Sequence, residues 1–88
     1  MSYTVVWLHS AKEQLADLHL KARQRGIASA VTRTVHRMEQ LLARDPASAG
    51  ESRGDGTRIL FRRPAAIVFE VHEDESTVVV RSVRLTSK

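Results

Sequence analysis

The stretch TRILFRRPAAIVFEVHEDESTVVVRSV, residues 57–83, decides the fold. Its first run, Thr57 to Arg62, alternates. Arg58, Leu60 and Arg62 share one face and Ile59 and Phe61 the other, which is the period of a strand. Arg62-Arg63-Pro64 then leads into Ala65–His72 (AAIVFEVH), which is almost wholly apolar and therefore reads as the central strand of a sheet. Glu73 to Ser76 (EDES) reads as a hairpin turn, and Thr77 to Val83 (TVVVRSV) as the last strand. Its apolar segment Val78 to Val80 is expected at a sheet edge, open to an added strand from a partner or a second copy. Arg84 to Lys88 is a short tail, expected to fray.

Upstream, Ala47 to Gly56 (ASAGESRGDG) is small, polar and glycine-rich, and reads as a loop. Before it, Val31, Val35, Met38 and Leu42 recur at helical spacing and predict a helix over Ala28 to Arg44, stopped by Asp45-Pro46. Ala11, Leu15, Leu18 and Ala22 predict an earlier helix that ends at Gly26. Ser10 and Glu13 have the spacing of a capping box at its start. Tyr3 to Leu8 (YTVVWL) reads as a strand, apolar on both faces and so expected inside the sheet. The order is β-α-α-β-β-β: an α+β domain over residues 1–88, with an antiparallel two-helix hairpin on one face of a small, mostly antiparallel sheet.

Composition narrows the functional classes. The 88 residues carry 14 Lys and Arg against 10 Asp and Glu, a net charge of +4. That excess favours an acidic partner, either nucleic acid or an acidic protein. The absence of cysteine excludes a disulfide scaffold, a thiolate nucleophile and Cys-ligated zinc. The opening MSYTVVWLHS lacks a basic lead and a long apolar run, so no signal peptide is expected, and no segment reaches the roughly 20 apolar residues of a membrane span. A cytoplasmic location follows as the expectation. His9, His19, His36 and His72 are scattered with no i,i+3 or i,i+4 pair, so no metal site and no cofactor are expected.

Several segments together carry a family resemblance. They are an opening Y-x-V-x-W strand, a helix ending L-L-x-R-D-P, then G-E-S-R, R-I-L-F, P-x-x-x-x-F-E-V and V-V-V-x-x-V. In this order and length the chain resembles the RelE/ParE superfamily, the toxin half of bacterial type II toxin–antitoxin (plasmid stabilisation) pairs. The resemblance implies a small acidic antitoxin as partner and growth inhibition when the toxin is free. It implies one of two targets, messenger RNA on the ribosome or DNA gyrase. It also implies where an RNase would keep its cations: many members have an aromatic residue and then an arginine at the places held here by Ala65 and Ala66. The C-terminal strand should add a histidine or arginine and then a tyrosine, and this chain has Arg84 there but no tyrosine beyond Tyr3. The RNase set is therefore incomplete. A ParE-like target or a degenerate activity is favoured, with a ribosome-dependent endoribonuclease and a non-toxic orphan binding or dimerisation domain as the alternatives.

The residues themselves leave these candidates. Arg53, Arg58, Arg62, Arg63, Arg81 and Arg84 could bind phosphates or carboxylates through paired N–H donors. Alternatively they form a solvated face balanced by Glu51, Asp55, Glu70 and Glu73 to Glu75. Glu51 could act as a base beside Arg53, although closing the loop on the backbone of Gly54 and Gly56 is preferred. His72 and Arg84 are the remaining candidates for acid/base or cationic chemistry, and Glu70 is expected to pair with Arg58 or Arg81 across strands.

Overall fold

The structure, a computed structural model, describes residues 2–86. It contains β1 (Thr4–Trp7), α1 (His9–Gln24), α2 (Ala28–Arg44), β2 (Glu51–Ser52), β3 (Arg58–Arg62), β4 (Ala65–His72) and β5 (Thr77–Leu85). The five strands form one sheet in the order β1-β5-β4-β3-β2. Only β1 and β5 run parallel; the other neighbours are antiparallel. Both helices cover one face, and the other face is open.

The apolar spacing explains the layers. From α1, Ala11, Leu18 and Ala22 are buried, and from α2, Val31, Val35, Met38 and Leu42. They meet Leu60, Ala65, Ile67, Phe69, Val78, Val80 and Val83 of the sheet in one core. The helices are joined by a tight αL turn. Gly26 has φ +74, its N–H donates to the Arg23 carbonyl, and the Ile27 N–H donates to the Ala22 carbonyl. This paired geometry closes a helix end and favours glycine at the turn.

Four expectations need correction. β1 is an edge strand, not an interior one, because its parallel pairing with β5 uses only one of its sides. Val5 and Trp7 face the core, whereas Val6 on the opposite face is 44% exposed. β5, expected at the edge, instead lies between β1 and β4, and the all-apolar run of Val78–Val80 reflects neighbours on both sides. β5 also extends through Arg84 to Leu85, so only the last part of the expected tail remains, and Ser87 and Lys88 lie outside the described residues. Finally, Ser10 does not cap α1. The helix starts at His9 because Leu8 ends the strand and caps the helix at once: its N–H donates to Val80 and its carbonyl accepts from Lys12.

The Ala47–Gly56 loop hides one further element. Glu51 and Ser52 pair with Ile59 and Arg58 as a two-residue strand. The chain enters it by crossing closely over β3. A Cβ on Gly50 (φ +74) would lie 2.2 Å from the Ile59 carbonyl oxygen, so only glycine fits that crossing.

A bulge sets the faces of β5. Phe69 pairs with Val80 and Val68 with Ser82, leaving Arg81 as the extra residue. Val78 and Val80 precede it on the core face and Val83 resumes that face after it. The bulge therefore turns Arg81 to the open face without disturbing the core. On the edge beyond β1, the Val83 N–H donates to Oε1 of Gln14, 2.9 Å away on α1.

Candidate functional site

The six arginines singled out in the sequence do not converge. They separate into an open-face group, a helix-side group and one structural residue.

Arg58 is the structural one. It shares the core-facing side of β3 with Leu60, and its guanidinium donates to the carbonyl oxygens of Ala49 (3.4 Å) and Gly50 (2.9 Å). Those bonds hold the crossing that leads into β2. The expected pairing of Glu70 with Arg58 or Arg81 is made with Arg81 alone.

The open-face group contains Arg53, Arg81 and Arg84. Arg53 and Arg81 border a shallow depression of about 480 Å³ with Asp55, Thr57, Val68, Glu70 and Ser82. This surface is largely neutralised from within. Glu70 accepts from Arg81 and lies 2.9 Å from Nε2 of His72. The contact with His72, and then the Arg81 hydrogen bond, lower the Glu70 pKa from its ordinary 4.5. Asp55 is also lowered, first by the Thr57 hydroxyl and then by the Thr57 N–H, with the charge of Arg53 contributing less. Arg84 stands on the same face farther along β5, directly opposite Ala66, and it is not ion-paired among the described residues.

Ala65 and Ala66 part to opposite faces. Ala65 is fully buried in the core, between Arg62 and Leu85 in register. Ala66 lies on the open face in a row with Phe61 and Arg84, and is 2% exposed beneath its neighbours, while Phe61 is 51% exposed. The open face thus offers a methyl group between an aromatic ring and one guanidinium.

The helix-side group is the one whose surroundings the sequence did not reveal. Arg62 and Arg63 sit at the β3–β4 turn, where the Arg63–Pro64 bond is cis. The Arg63 carbonyl accepts from the Thr34 hydroxyl at 3.4 Å. With Thr34, Arg37, Met38, Gln40, Leu41 and Arg44 of α2 these two arginines line a groove of about 590 Å³. Arg37 and Arg44 lie off the apolar stripe of α2. The available signal was their spacing of seven residues, which puts both on one flank of α2. Arg62 and Arg63 do not stand in for an arginine at Ala66, because they belong to the opposite side of the sheet.

The weak catalytic candidates are apart from one another. Glu51 is exposed on the short outer strand, and loop closure falls to its neighbours instead. Ser52 Oγ accepts from the Gly54 N–H at 3.3 Å, and Asp55 Oδ1 accepts from the Thr57 N–H at 3.1 Å. His72 is at the far end of β4, held against Glu70. Among the described residues no cluster of His, Asp or Glu could hold a metal ion. Among the same residues no helix is long and apolar enough to cross a membrane.

Known structures share this architecture over its whole length. The RelBE2 toxin–antitoxin complex of Mycobacterium tuberculosis contains a chain that superposes with a TM-score of 0.76 at 23% identity, over 100% of this chain and 95% of that one. This chain has the RelE/ParE toxin fold. The chromosomal ParDE system of P. aeruginosa gives the same TM-score of 0.76 at 15% identity, over 97% of each chain. The isolated E. coli RelE toxin gives 0.62 at 18% identity, over 98% of this chain and 86% of that one. No family model and no curated protein sequence matches the chain. The likeness is thus one of RelE/ParE fold, and the site residues have to be argued from their own geometry.

Proposed function

We propose that this chain is the toxin component of a type II toxin–antitoxin pair, which binds a small acidic antitoxin and inhibits growth when free. The observation that carries this reading is the coincidence of fold over 100% of the chain with a protein from a toxin–antitoxin complex. The excess of basic residues agrees with an acidic partner.

Of the two targets, a ParE-like one, DNA gyrase, is favoured over messenger RNA. Cleavage of RNA through its 2′-hydroxyl needs a base, an acid and cations around the developing charge on phosphorus. On the open face Ala66 supplies no cation, Arg81 is engaged by Glu70, Arg53 stands apart beside Asp55, and Arg84 is the one arginine next to Ala66 in register. His72 and Glu51, the candidate acid and base, are separated by the width of the sheet from β4 to β2. A second reading, a binding domain that has lost toxicity, draws on the same Ala66 and keeps only the partner interaction.

Growth after tightly induced expression of the chain alone tests the proposal. The expected result is arrest, relieved by co-expression of an acidic protein encoded beside it. Message 5′ ends should remain intact and gyrase should be inhibited. Codon-phased message cleavage would restore the RNase reading. Harmless expression of soluble, folded protein would select the non-toxic one.

A further inference from the structure

The two edges of the sheet are guarded differently. β2 is two residues long, and both Glu51 and Ser52 are exposed. A short, charged strand of that kind deters an added strand. β1, at the other edge, reads T-V-V-W and carries no charge, no proline and no bulge. Beyond β1 the same side of β5 is closed from within, where Gln14 takes the Val83 N–H. β1 itself has no such cover.

The pairing shows which of its backbone groups are open. The Thr4 N–H donates to the Ser76 carbonyl and the Leu8 N–H to the Val80 carbonyl. Alternate residues of a strand bond the same neighbour, so Thr4, Val6 and Leu8 turn their groups to β5, and Val5 and Trp7 turn theirs outward. At the start of the strand the outward Tyr3 N–H is taken by the Ala43 carbonyl at 2.7 Å. After Leu8 the chain turns into α1. What remains is a window of three residues, Val5 to Trp7, whose outward N–H and C=O groups meet no other described residue.

The window is centred on Val6, and that symmetry selects its occupant. A second copy of β1, antiparallel and related by a two-fold axis at Val6, pairs Val5 with Trp7 of the copy and Trp7 with Val5 of the copy. Every outward group in the window is then bonded. Val6, exposed on the open face, meets its own counterpart as a non-hydrogen-bonded pair, the closer of the two kinds. Val6 already stands beside Val79 of β5 in register, so the valines of both copies form one row across the axis. On the helix side, the half-buried Val5 and Trp7 of one copy cover those of the other. The Trp7 indole N–H is occupied by Glu39 at 2.7 Å and needs no acceptor from the copy. No charged side chain stands in the window, so the net charge of +4 opposes the contact only from a distance.

We infer that β1 is a homodimer edge, where two copies of this chain join through Val5–Trp7 and their two sheets become one. The inference does not rest on the toxin reading, and the outcome of growth experiments leaves it untouched.

The chain has no cysteine, so a single introduced thiol reports the axis. Val6→Cys would set two thiols on residues whose Cα atoms lie about 4.5 Å apart, a separation that a disulfide spans. Oxidised glutathione takes up the two electrons and two protons released as the S–S bond forms. Covalent dimer should form at least about tenfold faster from Val6→Cys than from Phe61→Cys, which is as exposed on the same face. Sedimentation velocity of the unaltered chain from about 10 μM to 1 mM should show monomer passing to dimer and stopping there, because a closed two-fold contact leaves no open window. Val6→Lys sets two ammonium groups against each other on the axis and should raise the dissociation constant at least about tenfold. Phe61→Lys makes the same change in net charge and should alter it less than about twofold. Both side chains are exposed, and circular dichroism should show both variants folded. Monomer throughout the range, or assembly beyond the dimer, would overturn the inference. So would equal cross-linking of the two thiols or equal losses from the two lysines.

Discussion

Two basic surfaces lie on opposite sides of one small sheet, and they differ in what surrounds their arginines. On the open face, β4 places Glu70 against Arg81 and His72, and the loop before β3 places Asp55 near Arg53. On the helix side, the flank of α2 that faces the β3–β4 turn carries Arg37 and Arg44 with no carboxylate between them. The net charge of +4 says only that basic residues are in excess. The contrast between the faces shows that much of that excess is unpaired on the helix side, with Arg84 also unpaired on the open face among the described residues. A cation held by its own neighbour is weakly available to a ligand, whereas unpaired cations around an apolar floor favour a ligand that is itself acidic and apolar.

The contrast can be broken most severely through the strand that both surfaces share. Phe69→Ala empties the centre of β4, where the ring is fully buried. It should cost about 3–5 kcal/mol in urea unfolding and remove both surfaces together. Gly50→Ala should come next. Its Cβ collides with the Ile59 carbonyl, and relief of that contact moves the segment whose carbonyl oxygens hold Arg58. A loss of about 2 kcal/mol or more is expected, with little change in the groove arginines.

Smaller changes sharpen the comparison. Trp7→Phe keeps the apolar contact but deletes the donor to Glu39 and should cost about 1 kcal/mol. It also releases a carboxylate on α2, so affinity for an acidic partner should fall slightly. Glu70→Gln tests the open face. It should lower stability by less than about 1 kcal/mol, because the ion pair is partly exposed. It should also raise the affinity of Arg81 for an RNA oligonucleotide. The sign with pH follows from the lowered pKa of Glu70. A carboxyl group lowered on folding stabilises the protein above its unfolded value, near 4.5, and loses that contribution as pH falls through the lower folded value. The stability difference between the parent chain and Glu70→Gln should therefore be full at neutral pH and vanish in acid.

Much of the architecture was legible because it rests on periodicity. The stripe of Val31, Val35, Met38 and Leu42 marked α2 over its observed bounds, and the apolar run of Ala65–His72 marked the central strand. Which strands lay at the edges was not legible. Val78–Val80 and Thr4–Trp7 are both apolar on each face, and only the parallel pairing of β1 with β5 decides that β5 is inside and β1 outside. Glu51–Ser52 was hidden because two residues carry no periodic signal. The site was legible only in part. The Glu70–Arg81 pair followed from adjacent strands in a hairpin, but the bulge that turns Arg81 outward leaves no mark in TVVVRSV. The groove needed Arg37 and Arg44 to be brought against Arg62 and Arg63, a contact made across about 20 residues of chain or more, which no local spacing specifies.

The most direct test is to map a bound acidic peptide on the isotope-labelled chain by NMR, following backbone amides and arginine Nε–H groups. The account predicts shifts concentrated in Thr34 to Arg44 and Arg62 to Ala65, with Arg53, Arg81 and Arg84 unmoved. Shifts centred on Arg53, Arg81 and Arg84, with the α2 arginines silent, would contradict it and return the binding surface to the open face of the sheet.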